Sequence, residues 1–242
     1  MRSLWGDFDN DGKFDLFVGN FAHVDNRGDQ PKSRFLRNLG PARGHTFEDR
    51  GPCGVFYQES YASPSAGDYD NDGNLDLFFT TVYKTASFGR KNNPVLYRNE
   101  GGFVFADATP AAKLTSLPPT YQAAWADFDH DGDLDLVTAG NLFENLAAKG
   151  HWLELRLEGD GGTVNRSAIG AQVRIQLPTQ TLARHVEAGT GEGNQNDLVL
   201  HFGLGDQQKP VRLDVLWPNG TRQTIEKVEI DQLLTVRFVN QP

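Results

Sequence analysis

Short apolar runs, each closed by glycine or by a cluster of aspartate and asparagine, recur along this chain. Three of them, Leu16-Phe17-Val18, Leu77-Phe78-Phe79 and Leu136-Val137-Thr138, directly follow an acidic stretch and consist of β-formers. A further strand leads into each acidic stretch, as in Tyr121-Gln122-Ala123-Ala124-Trp125. Two more strands follow in the first unit, at Arg34-Phe35-Leu36-Arg37 and Thr46-Phe47-Glu48-Asp49. The second unit repeats them at Val95-Leu96-Tyr97-Arg98-Asn99 and Phe103-Val104-Phe105-Ala106. The third runs only to Leu142-Phe143-Glu144-Asn145, with no fourth strand after it. Four short antiparallel strands in a unit of about 60 residues are the pattern of a propeller blade. The units fall at about 1–54, 55–112 and 113–148, with polar surface loops expected from Gly28 to Lys32 and from Ser87 to Asn93.

From His151 the repeat stops and alternation becomes stricter. Leu153, Leu155 and Leu157 alternate with Glu154, Arg156 and Glu158, and Ala171, Val173, Ile175 and Leu177 with Gln172, Arg174 and Gln176. Val211, Leu213, Val215 and Trp217 form another apolar face, and Asn219-Gly220 reads as a hairpin turn into Arg222-Gln223-Thr224-Ile225. With a last strand from Leu233 to Val239, about seven strands predict a small β-sandwich over 151–242, each sheet with one wet face. The expected fold class is therefore all-β: a partial, open β-propeller of about three blades followed by that sandwich.

Composition narrows the function. The 242 residues carry 32 acidic against 23 basic side chains, a net charge of −9, which disfavours nucleic acid as a partner. No apolar run reaches membrane-spanning length, so membrane insertion is not expected, and no signal peptide is visible at Met1–Asp7. The single cysteine, Cys53, excludes an internal disulfide and a multi-cysteine zinc site.

The acid is concentrated. Asp7, Asp9, Asp11 and Asp15, then Asp68, Asp70, Asp72 and Asp76, then Asp127, Asp129, Asp131 and Asp135 each fit D-x-D-x-D-G-x-x-D, with starts 61 and 59 residues apart. Outside these twelve aspartates the chain is basic by three charges (23 basic against 20 acidic). Four carboxylates within nine residues repel one another unless a cation sits among them. Positions 1, 3 and 5 converge on the inside of a tight loop, glycine at position 6 permits the turn, and the carbonyl of position 7 (Lys13, Asn74 or Asp133) points inward. The last aspartate closes the shell. A flexible all-oxygen set suits Ca²⁺ better than Mg²⁺, and about three ions are expected. An EF-hand would need an acidic residue at position 12, where this chain has Val18, Phe79 and Thr138.

These loops, set between strands as Gly6-Asp7-Phe8-Asp9-Asn10-Asp11-Gly12…Asp15-Leu16 and its two sisters, resemble FG-GAP/VCBS repeats, the Ca²⁺-loop blades of integrin-α-type β-propellers. Asn165-Arg166-Ser167-Ala168-Ile169-Gly170-Ala171, Leu200-His201-Phe202-Gly203-Leu204-Gly205 and Trp217-Pro218-Asn219-Gly220-Thr221 resemble the ASPIC/UnbV domain of cartilage-acidic-protein-like proteins and their bacterial relatives. The resemblance implies a secreted, extracellular, periplasmic or cell-surface protein. Its expected role is calcium-dependent recognition or adhesion without catalysis, on a protein or glycan surface. It leaves open a scaffold or enzyme component in bacterial biosynthesis or polysaccharide processing, and a lectin.

Other candidate chemistry is weak. None of the histidines at 23, 45, 130, 151, 185 and 201 has zinc-hydrolase spacing, and His130 is expected to face solvent. His201 reads better as a hydrogen-bonded structural residue than as an acid or base. Gly189-Thr190-Gly191-Glu192-Gly193 lacks the lysine of a phosphate loop, and the sequons at Asn165 and Asn219 read as turns. Three blades cannot close a ring. Phe14, Phe17 and Val18 are therefore expected to face a neighbour that this chain does not supply, with self-association through open blade edges.

Overall fold

The structure, a computed structural model, describes residues 2–19, 33–55, 61–85, 92–146, 148–191 and 193–239. The loop expected from Gly28 to Lys32, most of that from Ser87 to Asn93, and His23 and Glu192 lie outside them.

The chain is all-β, as its alternation requires, with one short 3-10 turn among the described residues, at Pro41–Arg43. Five sheets succeed one another. The first holds β1 (Arg2–Gly6), β2 (Asp15–Gly19), β3 (Arg34–Asn38) and β4 (Phe47–Gly51) in chain order. The second repeats this with β5 (Tyr61–Gly67), β6 (Asp76–Thr81), β7 (Val95–Asn99) and β8 (Phe105–Asp107). The third has β9 (Ala123–Ala126), β10 (Asp135–Thr138) and β11 (Asn141–Phe143). All three are antiparallel meanders whose first hairpin carries the acidic loop. Their leading strands lie side by side, β1 against β5 and β5 against β9, as the inner strands of successive blades do.

The remaining sheets cross over. β12 (His151–Glu158) is flanked by β15 (Leu200–Gly205) and β18 (Leu233–Arg237), and its pairing with β18 is parallel, which alternation alone does not reveal. The other sheet runs β14 (Thr181–His185), β13 (Gln172–Gln176), β16 (Val211–Leu216), β17 (Arg222–Val228). The two share one apolar cluster around Leu153, Leu155, Val173, Ile175, Phe202, Leu213 and Trp217.

Blade contacts explain the run Leu77-Phe78-Phe79. All of β6 is buried, so its apolar residues serve both sides. Leu77 and Phe79 join Phe8, Phe17, Phe35 and Phe105 between the first two sheets, while Phe78 joins Leu96, Trp125 and Leu136 between the second and third.

Two expectations need correcting. Three blades followed by a separate small sandwich is not the arrangement found: five sheets are disposed together in propeller fashion, and the fourth and fifth are fastened to the acidic loops of the first three. The reason is that a supposed wet face is covered, since Glu154, Arg184 and His201 are all buried. Nor do Phe14 and Phe17 face an absent neighbour. Phe17 is fully buried against Phe79, with ring centroids 5.2 Å apart, and Phe14 packs edge-on against His185 at 4.7 Å. Val18 is half-buried.

Candidate metal centre

Each acidic loop folds on its own aspartates. Position 4 (Asn10, Asn71 or His130) takes a left-handed conformation, with φ of 55°, 58° and 62°. Glycine at position 6 follows at 82° to 92°, where a side chain would be strained. These turns aim two amides at the first carboxylate: Asp7 accepts from Asp11 and Gly12 at 3.1 Å each, and Asp68 from Asp72 and Gly73 at 3.1 and 2.9 Å. Asp127 accepts from Asp131 and Gly132 at 3.2 and 2.9 Å.

The last aspartate of each loop is held from two directions. Asp15, Asp76 and Asp135 each accept from the amide of position 2 at 3.1 Å and from an asparagine amide, Asn38, Asn99 or Asn145, at 2.7 Å. Two of those asparagines also reach back to the preceding loop: Asn99 Nδ2 donates to Phe8 O at 3.0 Å and Asn145 Nδ2 to Tyr69 O at 2.6 Å. The loops are strung together as well, with Asn10 donating to Asn74 at 2.8 Å and Asn71 to Asp133 at 2.9 Å.

Positions 1, 3 and 9 come together. In each of Asp7/Asp9/Asp15, Asp68/Asp70/Asp76 and Asp127/Asp129/Asp135, one carboxylate oxygen per residue lies within 4.8 Å of the other two. Position 5 stays outside the triads: Asp11, Asp72 and Asp131 accept from the amides of Lys13, Asn74 and Asp133 at 3.1, 2.8 and 3.0 Å. The Lys13 ammonium also pairs with Asp11.

An arginine straddles positions 3 and 5 in the first two loops. Arg37 lies 2.6 Å from Asp9 and 3.1 Å from Asp11, and Arg98 lies 2.5 Å from Asp70 and 2.9 Å from Asp72. The third loop has Glu144 at this place. Residue reasoning missed these partners, although the recurrence of Arg37-Asn38, Arg98-Asn99 and Glu144-Asn145 at the end of a strand was a visible signal.

The C-terminal sheets cap the loops by main chain. Along β14, Thr181 N donates to Asn10 O at 2.9 Å and Ala183 N to Asp7 at 3.0 Å. Along β15, Gly205 N donates to Asn71 O at 2.9 Å and Gly203 N to Asp68 at 3.1 Å. The glycine carbonyls receive side chains: Gly12 O from Arg174 at 2.8 Å and Gly73 O from Arg184 at 3.2 Å. His201 Nε2 lies 3.0 Å from Gly132 O, the structural role its sequence suggested.

Burial decides the electrostatics. It pushes Asp7, Asp15 and Asp68 up to about 7 and Asp76 well above the ordinary carboxylate range; Arg184 opposes this at Asp7 and Asp68. Asp9, Asp70 and Asp135 are raised for the same reason, and burial with Asp131 alongside takes Asp133 to about 6. A carboxylate set that resists ionisation alone is one that a divalent cation stabilises. Asp9 Oδ1 and Asp70 Oδ1 are buried without a hydrogen-bond partner, so the first two triads each hold an acceptor unused by the protein. All-oxygen donors with one such acceptor fit Ca²⁺.

The other candidates are structural. Cys53 is half-buried with its thiol pushed up to about 11 by burial, Thr190 bridges Asn194, and Asn165 and Asn219 accept from nearby amides in turns. No described helix is long and apolar enough to cross a membrane.

The FG-GAP-like repeat family matches residues 7–79 and 85–138, and the ASPIC and UnbV family matches residues 161–241. Cartilage acidic protein 1 of Mus musculus is 24% identical over 255 residues, covering 96% of this chain and 36% of that protein. Its Homo sapiens counterpart is 24% identical over 251 residues, covering 96% and 35%. The chain thus spans about a third of the length of the curated relatives it matches.

Proposed function

The chain belongs to the FG-GAP-like repeat family and carries an ASPIC and UnbV region, and from that premise we propose a calcium-stabilised, non-catalytic recognition module that binds a protein surface outside the cytoplasm. The observation carrying this reading is the threefold carboxylate triad at positions 1, 3 and 9, with positions 1 and 9 buried and held by amides in every loop. Asp7, Asp9 and Asp15 hold the first ion, Asp68, Asp70 and Asp76 the second, and Asp127, Asp129 and Asp135 the third. The ion's contribution is charge neutralisation, which locks loops that otherwise repel themselves.

Arg37 and Arg98 partly neutralise the first two loops without it. Both straddle positions 3 and 5, and Asp11 and Asp72 would add carboxylate oxygens to the shell of a bound ion. The carbonyls of Lys13, Asn74 and Asp133 would complete it. Kinship to cartilage acidic protein 1 supports an extracellular setting and adhesion rather than turnover. Calorimetric titration with Ca²⁺ tests the proposal: three sites per chain are expected, with Kd on the order of 10⁻⁴–10⁻³ M. Absence of heat, or a stoichiometry unrelated to three, overturns it.

A further inference from the structure

We propose a second kind of metal site, for a zinc-like ion that accepts imidazole, formed by Asp127, His130 and Glu154 where the third acidic loop meets β12. One ligand atom from each residue lies within 4.8 Å of the other two. Two carboxylates and an imidazole are a donor set for Zn²⁺, whereas Ca²⁺ takes oxygen alone.

Glu154 is the independent sign of a ligand. It is only 4% exposed, and among the described residues its carboxylate makes no hydrogen bond or ion pair. The charges that weigh most on it are Asp127 and Asp197, both repulsive, with Arg156 attractive and weaker. A buried carboxylate facing other carboxylates is costly without a cation.

The surroundings point the same way. The first two loops have Arg37 and Arg98, while the third has Glu144 and makes no ion pair among the described residues. At position 4, Asn10 and Asn71 bond to the next loop, and the third loop carries an exposed imidazole. A cavity of about 90 Å³, lined by Asp127, Glu154, Trp125 and His201, adjoins the site and leaves room for water in a fourth position. Trp125 Nε1 and His201 Nδ1, both buried without a partner, line it.

The full chain is titrated with Zn²⁺ in saturating Ca²⁺. One Zn²⁺ per chain is expected, and both Glu154→Gln and His130→Asn should weaken it at least tenfold. His130→Asn restores the residue type of the sister loops, so it keeps the fold testable if the buried variant fails to fold. Zinc absorption spectra should show a nitrogen ligand that His130→Asn removes. Lack of Zn²⁺ uptake, or uptake indifferent to His130→Asn, overturns the site. The site shares Asp127 with the third calcium triad, yet the readings separate. Three Ca²⁺ without Zn²⁺ overturns this inference alone, and Zn²⁺ uptake without Ca²⁺ uptake overturns the calcium reading alone.

Discussion

Asp7, Asp15 and Asp68 titrate near 7 in the metal-free fold, against an ordinary value of 3.8, because burial disfavours their charged forms. The folded chain therefore holds more protons than the unfolded one between these limits. The stability they contribute is complete below pH 3.8 and is lost as pH rises through 7. His201 works oppositely: burial lowers it to about 4, so its contribution is present above 6.5 and lost as pH falls through 4. Several carboxylates outweigh one histidine, so in chelator the chain should melt higher at pH 5 than at pH 7.5. Calcium demands ionised carboxylates, and saturating Ca²⁺ should reverse that order. Melting curves at the two pH values, with and without Ca²⁺, check the sign. At the same scale, Asp70→Ala removes the unused acceptor of the second triad. It should lower calorimetric stoichiometry by one, leaving two sites.

Among the elements, β15 carries the clearest steric demand. A Cβ on Gly203 would stand 2.3 Å from Asp68 Oδ2 and 2.5 Å from the Asn71 Cα, so the strand touches the second loop backbone to backbone. Gly203→Ala should cost about 1–3 kcal/mol, read from the urea midpoint, because backbone on both sides resists displacement. Gly162→Ala, with nothing nearer than 4.0 Å, should stay within about 0.5 kcal/mol. Phe79→Ala, which empties a place between two blades, should cost about 3–5 kcal/mol. The strands and acidic loops were legible because their signals are local: alternation, a β-forming run, aspartates at fixed spacing. The Gly203 contact was not. Alternation states that Glu154 and Arg156 share a side of β12, but not what lies over that side. Glu154 read as solvent-facing and is buried against the third loop, whereas Arg156 is exposed. The arginines at 37 and 98 looked like ordinary strand polar residues until the fold brought them over the aspartates.

Taken whole, the molecule is two sequence regions joined through its acidic loops, so on the proposed reading a bound ion and the tertiary structure would stabilise each other. At a Ca²⁺ concentration a hundredfold above Kd, each independent site should add about 2.7 kcal/mol. Chelation should accordingly lower the melting temperature beyond any effect of ionic strength. Differential scanning calorimetry in chelator and in matched salt measures it, and coincident curves would contradict the linkage. The capping bonds also have a direction in time. The amide of Ala183 that completes Asp7 lies 176 residues farther along the chain, and that of Gly203 lies 135 residues beyond Asp68. At ribosomal speed the first loop waits about 9–35 s for its cap to be made. A nascent chain thus carries its first two acidic hairpins uncapped while 176 and 135 further residues are made, and the later strands are the ones that seal these earlier loops.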